Sequence, residues 1–89
     1  MKYNGLEVNL FVEVVYNLKT NKKVDYEFNK PFKTYAAVAK TLPVDHHAYV
    51  RVELANSKVK IPGFGILGYA EVTCTKKGYT ASRFLAPEY

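Results

Sequence analysis

The alternation of residue types over positions 6–18 constrains this chain more than any other feature. Leu6, Val8, Leu10, Val12, Val14, Tyr16 and Leu18 fall on one side of a period-two pattern, and Glu7, Asn9, Phe11, Glu13, Val15 and Asn17 on the other. An extended strand turns successive side chains to opposite faces, whereas a helix repeats every 3.6 residues. The pattern therefore predicts one long strand with a buried face. Residues 19–23 (Lys-Thr-Asn-Lys-Lys) are a polar loop of hairpin length. Val24, Tyr26 and Phe28 then alternate with Asp25 and Glu27, which predicts a second strand paired to the first.

Pro31 ends that strand. Thr34 suits a helix N-cap, and Tyr35, Val38, Ala39 and Leu42 follow at helical spacing until Pro43 stops the run. A third strand is predicted where Ala48, Val50, Val52 and Leu54 alternate with His47, Tyr49, Arg51 and Glu53. A turn at 55–58 follows, with Val59 and Ile61 extending the pairing. A fourth strand is expected over 64–75, a turn at 75–78 and a last strand over 79–85. The order strand, strand, helix, strand, strand, strand predicts an α+β fold: a curved antiparallel sheet of four to five strands with one short helix on one face. A small OB-like barrel is the alternative. The 89 residues make a single domain, 1–89. Its expected core is Val8, Leu10, Val12, Val14, Ala48, Val50, Val52, Ala70 and Val72, capped by Tyr35, Val38 and Leu42.

The stretch Lys60-Ile-Pro-Gly-Phe-Gly-Ile-Leu-Gly-Tyr69 is spelled somewhat like the RNA-contacting strand of RNA-recognition-motif domains. In such a strand two aromatic positions face outward to stack on bases. Counting back by two from Ala70, Val72 and Cys74 puts Phe64 and Ile66 inward, unless a bulge at Gly65 or Gly68 reverses the parity. The order of elements also differs, since such domains place a helix after the first strand. The stretch is read as a strand kinked at its glycines.

No constellation for catalysis, metal or cofactor emerges. His46 and His47 are adjacent on a strand and so diverge, and no second Cys or His cluster completes a zinc site. Cys74 is the single cysteine, so no internal disulfide is available and a reducing compartment is expected. It reads as a small buried hydrophobe. Glu7 and Glu13 would lie about 20 Å apart, too far for a two-carboxylate site. No cofactor is expected, and the chain reads as a non-enzymatic binder. No apolar run approaches the ~20 residues that span a bilayer, and the first residues do not resemble a secretory signal. A cytoplasmic location is the expectation, host cytoplasm if a virus encodes the chain.

The formal net charge is +5, and eleven of the thirteen basic residues are lysines. Lysine neutralises phosphate as a point charge, whereas arginine is the usual fork for guanine, so backbone contact is favoured over base readout. If the first hairpin runs up and then down and the helix carries the chain back to the top, the last three strands descend, rise and descend. Lys19, Lys22 and Lys23 then meet Lys76 and Lys77 at one end of the sheet, with Lys40 approaching them. These six are the candidate nucleic-acid contacts. The outer face carries Phe11, Tyr49, Arg51, Leu67 and Tyr69, more apolar than a solvated face needs, and these are the candidate partner contacts. The favoured function is sequence-tolerant nucleic-acid binding by turn lysines and outer aromatics. The alternative is a small protein-binding adaptor or inhibitor, of the kind viruses and mobile elements encode, acting through its outer face or a sheet edge. A homodimer through the outer face belongs to the same expectation.

Overall fold

The computed structural model describes residues 2–3, 5–28, 30–55 and 65–83. The expected turn at 56–58, Val59, Ile61 and Phe64, and the continuation of the last strand past 83, lie outside the described residues. Strands β1 (Lys2–Tyr3), β2 (Leu6–Asn17) and β3 (Lys22–Val24) precede helix α1 (Tyr35–Thr41). Strands β4 (His46–Leu54), β5 (Ile66–Thr75) and β6 (Gly78–Arg83) follow it. The sheet runs β1-β2-β4-β5-β6 with every neighbour antiparallel, and β3 adds to the far end of β2. The fold is the expected α+β arrangement. Among the described residues nothing pairs β6 with β1 or β3, so the sheet stays open and the barrel alternative does not form.

The long alternating segment is a strand of 12 residues, but its alternation breaks once. Val12 pairs with Val50 and Val14 with Tyr49, which leaves Glu13 as an extra residue in a β-bulge. A bulge shifts side-chain parity by one. Val15 is therefore in the core at 1% exposure, and Val14 and Tyr16 lie on the outer face opposite Tyr49 and His47. The sequence reading had these reversed. It also placed Leu18 inside, where the structure leaves it 45% exposed in the loop. The exchange has a physical reason. The inner face here lies opposite small Ala48 and takes a valine, whereas Tyr16 keeps its hydroxyl near water by facing out.

The same extra residue truncates the hairpin partner. β3 pairs for three residues, and the Tyr26 N–H then donates to the Val24 carbonyl at 3.1 Å in a tight turn that leads the chain away. Pairing resumes where Leu10 and Phe32 exchange backbone bonds of 2.9 and 2.7 Å. The expected second strand over 24–28 is thus an excursion that passes the bulge. It brings Phe28 and Phe32 edge-to-face at 5.3 Å over the side of the core.

α1 forms where expected. The Thr34 hydroxyl accepts the Ala37 N–H at 3.1 Å, closing the helix N-terminus, and Val38, Ala39 and Leu42 are buried. The core joins these to Val8, Leu10 and Val15 of β2, Ala48, Val50 and Val52 of β4, and Ala70 and Val72 of β5. Val12, expected within it, is partly buried against it. A second bulge lies at Leu67, between the pairs Val52↔Gly68 and Glu53↔Ile66. It turns Leu67 to pack against the core and sets Ile66 opposite Glu53 on the outer face. Both positions reverse the parity the sequence reading favoured, and the bulge adjoins Gly68, one of the two glycines at which that reading allowed such a reversal.

Aspartate substitutions test the first bulge. Val15→Asp, like Val50→Asp, buries an unpaired carboxylate and should cost about 4 kcal/mol or more, most of the stability of a domain this size. Val14→Asp should cost only about 1 kcal/mol. Urea unfolding distinguishes them, and a strict alternation predicts the opposite ranking of Val14 and Val15.

Candidate nucleic-acid interface

Antiparallel register decides which loops share an end of the sheet. Asn17 at the end of β2 pairs with His46 at the start of β4, and His46 pairs with Cys74 near the end of β5. The β2–β3 loop at 18–21 and the two-residue β5–β6 turn, Lys76-Lys77, therefore leave the sheet at the same end. β2 and β5 are two strands apart, roughly 10 Å. Lys40 comes to the same place from the helix side. With Ala36, Ala39, Cys74, Gly78 and Tyr79 it lines an apolar groove of about 290 Å³ beside the β5–β6 turn. All six expected lysines, Lys19, Lys22, Lys23, Lys40, Lys76 and Lys77, are exposed at or near this end. Lys22 and Lys23 alternate along β3, so Lys23 goes to the outer face with Tyr16 and Lys22 to the helix side with Asn17.

Local chemistry shapes both turns. The Asn17 side-chain oxygen accepts the Lys19 and Thr20 N–H groups at 2.9 and 3.3 Å, and Asn21 takes a left-handed φ of 57° that asparagine tolerates. Gly78 closes the other turn at φ 123°, a conformation that disfavours any side chain. Asp45 ties the two together. Its carbonyl accepts the Leu18 N–H at 2.8 Å, and its own N–H donates to the Cys74 carbonyl at 2.7 Å. Its carboxylate lies 3.6 Å from the Lys19 ammonium, which is 74% exposed. Among the described residues this is the one carboxylate within ion-pair reach of the six lysines. Nothing in the sequence marked Asp45 beyond its place in a short helix-to-strand connection.

The outer face divides in two. Phe11, Arg51 and Tyr69 form one row across β2, β4 and β5. The Arg51 guanidinium lies 5.0 Å from the Phe11 ring centre, donates to Glu53 at 2.8 Å and lies 3.5 Å from Glu13. Its charge is thus already met by two carboxylates. Leu67, expected in this row, is absent from it. Nearer the lysine end, His47 sits between Thr73, whose hydroxyl is 2.7 Å from Nδ1, and Glu71, whose carboxylate is 3.3 Å from Nε2. Tyr49 meets His47 and Tyr16 edge-to-face at 4.8 and 5.9 Å. Sequence reasoning missed Tyr16 and His47 as outer-face neighbours. The adjacent valines 14 and 15 fit either parity and concealed the bulge that turns Tyr16 outward. Among the described residues no group of three His, Cys, Asp or Glu side chains converges to hold a metal ion.

Asp45 has a left-handed φ of 62°, which a β-branched side chain resists by about 1–2 kcal/mol. Asp45→Val should therefore lower the melting temperature by roughly 5–15 °C. Asp45→Gly should remain within a few degrees of the parent. Thermal unfolding followed by circular dichroism reads both.

Comparison with known proteins yields no match to a family model, to a curated protein or to a solved structure.

Proposed function

We propose that this chain is a sequence-tolerant nucleic-acid-binding protein that grips backbone phosphates with the lysine-bearing end of its sheet. The observation that carries the reading is the convergence of Lys19, Lys22, Lys23, Lys40, Lys76 and Lys77 at one end, where among the described residues Asp45 is the one carboxylate within ion-pair reach of them. Lysines spread over a surface serve solubility, but like charges gathered at one end repel one another and project a directed field. A polyanion relieves that repulsion. The far part of the outer face is less suited to phosphate, because Arg51 is held by Glu13 and Glu53. The phosphates therefore run across the end of the sheet.

Each phosphate neutralised on duplex DNA contributes about −0.9 to the slope of log affinity against log salt. Four contacts give a slope of roughly −3 to −4. Replacing Lys22, Lys23, Lys76 and Lys77 together by Gln should remove most of that slope and leave the melting temperature near the parent's. Asp45→Asn should act in reverse, tightening binding by freeing Lys19. Salt titration of labelled DNA or RNA by fluorescence anisotropy measures both. Absence of binding at low salt overturns the reading.

One observation favours a second reading, a protein partner added as a strand. β6 is an edge of the open sheet, its described side chains are exposed, and no described residue pairs with its outer side. Alternate residues of a strand turn their backbone groups to alternate edges, and Thr75↔Gly78 closes the β5–β6 hairpin. Tyr79 and Ala81 then direct theirs outward, where an extended segment adds by main-chain bonds. Ala81→Pro removes one of those donors without touching the β5 ladder. It should abolish strand addition while leaving folding and DNA binding intact. Pull-down from lysate with and without nuclease decides between the readings, because capture that survives nuclease and is lost in Ala81→Pro supports the protein partner.

A further inference from the structure

The outer face has a concave notch at the end that carries the lysines. Tyr16, Leu18, Asn21, His47 and Tyr49 line it, with a volume of about 340 Å³ and a broad opening to solvent. That volume is at the low end for small-molecule sites, about 300–1,000 Å³, and suits one planar base. The rings are set for such a guest. Tyr16 and His47 each meet Tyr49 nearly at right angles, 87° and 77°. Perpendicular rings make a corner instead of a closed stack, so each such contact leaves the faces of one ring uncovered by its neighbour. The polar edge of the corner is held in place, since Thr73 and Glu71 grip the two nitrogens of His47.

The notch also adjoins the charge that a nucleotide would need. Lys23 is the register partner of Tyr16 and shares its face, and Lys19 leaves the loop between Leu18 and Asn21, two residues that line the notch. An aromatic corner beside exposed ammonium groups is the pairing that single-strand binders use, with a ring for the base and a cation for its phosphate. A duplex cannot present a base face without unstacking it.

We propose that the Tyr16–His47–Tyr49 notch receives one unstacked base of a single-stranded nucleic acid while Lys19 and Lys23 hold the adjoining phosphates. This rests on the nucleic-acid reading above and narrows it from nucleic acid of either form to a preference for single strands. The site is sequence-tolerant, because every base offers a flat face. The step from Lys23 on β3 to Tyr16 on β2 is one strand spacing, about 5 Å, comparable to the reach from a phosphate to its own base.

Three probes of equal length test it by anisotropy at low salt: an oligothymidylate, the same strand with every base removed, and a duplex. The protein should bind the oligothymidylate about ten-fold more tightly than the abasic strand, within the range that one base–aromatic stack provides. Tyr49→Leu and Tyr16→Leu should each abolish most of that preference and leave duplex binding within two-fold, which also verifies that the variants fold. The Gln variant at Lys22, Lys23, Lys76 and Lys77 should weaken all three probes. Equal affinity for the abasic strand and oligothymidylate overturns the notch and leaves the phosphate reading standing. A preference that survives both tyrosine changes overturns the notch as well. No binding of any probe overturns both.

Discussion

Antiparallel pairing of β2 with β4 is the constraint on which the rest of this molecule depends. It runs from Val8↔Leu54 to Asn17↔His46 and takes one bulge, at Glu13. A slip of one residue along it would exchange every core side chain for a solvent-facing one. Because the register holds, Val8, Leu10 and Val15 meet Ala48, Val50 and Val52 on one face. The same register carries the ends of β2, β4 and β5 to a common level, from which both lysine turns emerge. β5 extends the core with Ala70 and Val72, and small residues on the covered face let a helix of seven residues lie close to it. Every fully buried side chain among the described residues is apolar, with the Tyr35 hydroxyl a buried polar atom at the margin, so the stability of the core is mainly a matter of apolar burial and shape.

Charge is distributed unevenly over this scaffold. Away from the lysines, the outer face neutralises itself through Arg51 with Glu13 and Glu53, and nearer them the His47 ring faces Glu71. These partly exposed pairs add little stability individually, about 0–1 kcal/mol each. They do hold ring and guanidinium positions across three strands. At the lysine end the balance is the opposite: among the described residues Asp45 is the one carboxylate within ion-pair reach of the six ammonium groups. Asp45 is both the neutralising charge and, through its backbone, the clip that joins Leu18 to Cys74. A connection that fixes the spacing of two charged loops is a structural device with an electrostatic consequence.

The glycine-containing stretch shows how a local argument can reach a sound conclusion through a wrong step. Parity counted through Gly68 sent Ile66 inward, but the bulge at Leu67 sets it opposite Glu53 on the outer face. What separates this chain from an RNA-recognition-motif arrangement is topology. Consecutive strands β4, β5 and β6 are neighbours, and no helix follows β5 among the described residues.

Periodicity, capping and prolines made the elements legible. The long first strand, the helix opened by Thr34, and the core positions Val8, Leu10, Val50, Val52 and Val72 follow from local pattern, because burial on one side of a strand or helix repeats at that element's own period. The common end of the two lysine turns was legible too, once the helix between β3 and β4 is taken to return the chain to the end where β2 finished, because β4 then runs against β2 and β5 with it. The tertiary structure alone decided where alternation breaks: Val15 instead of Val14 inside, Leu67 inward, Tyr16 out beside His47, and the excursion after Val24. Each is a choice between two phases that are both acceptable locally. Packing space opposite Ala48, the missing side chain at Gly68 and the reach of neighbouring strands settle them. Those quantities belong to residues distant in the chain, so a reading of neighbours along the sequence has no access to them.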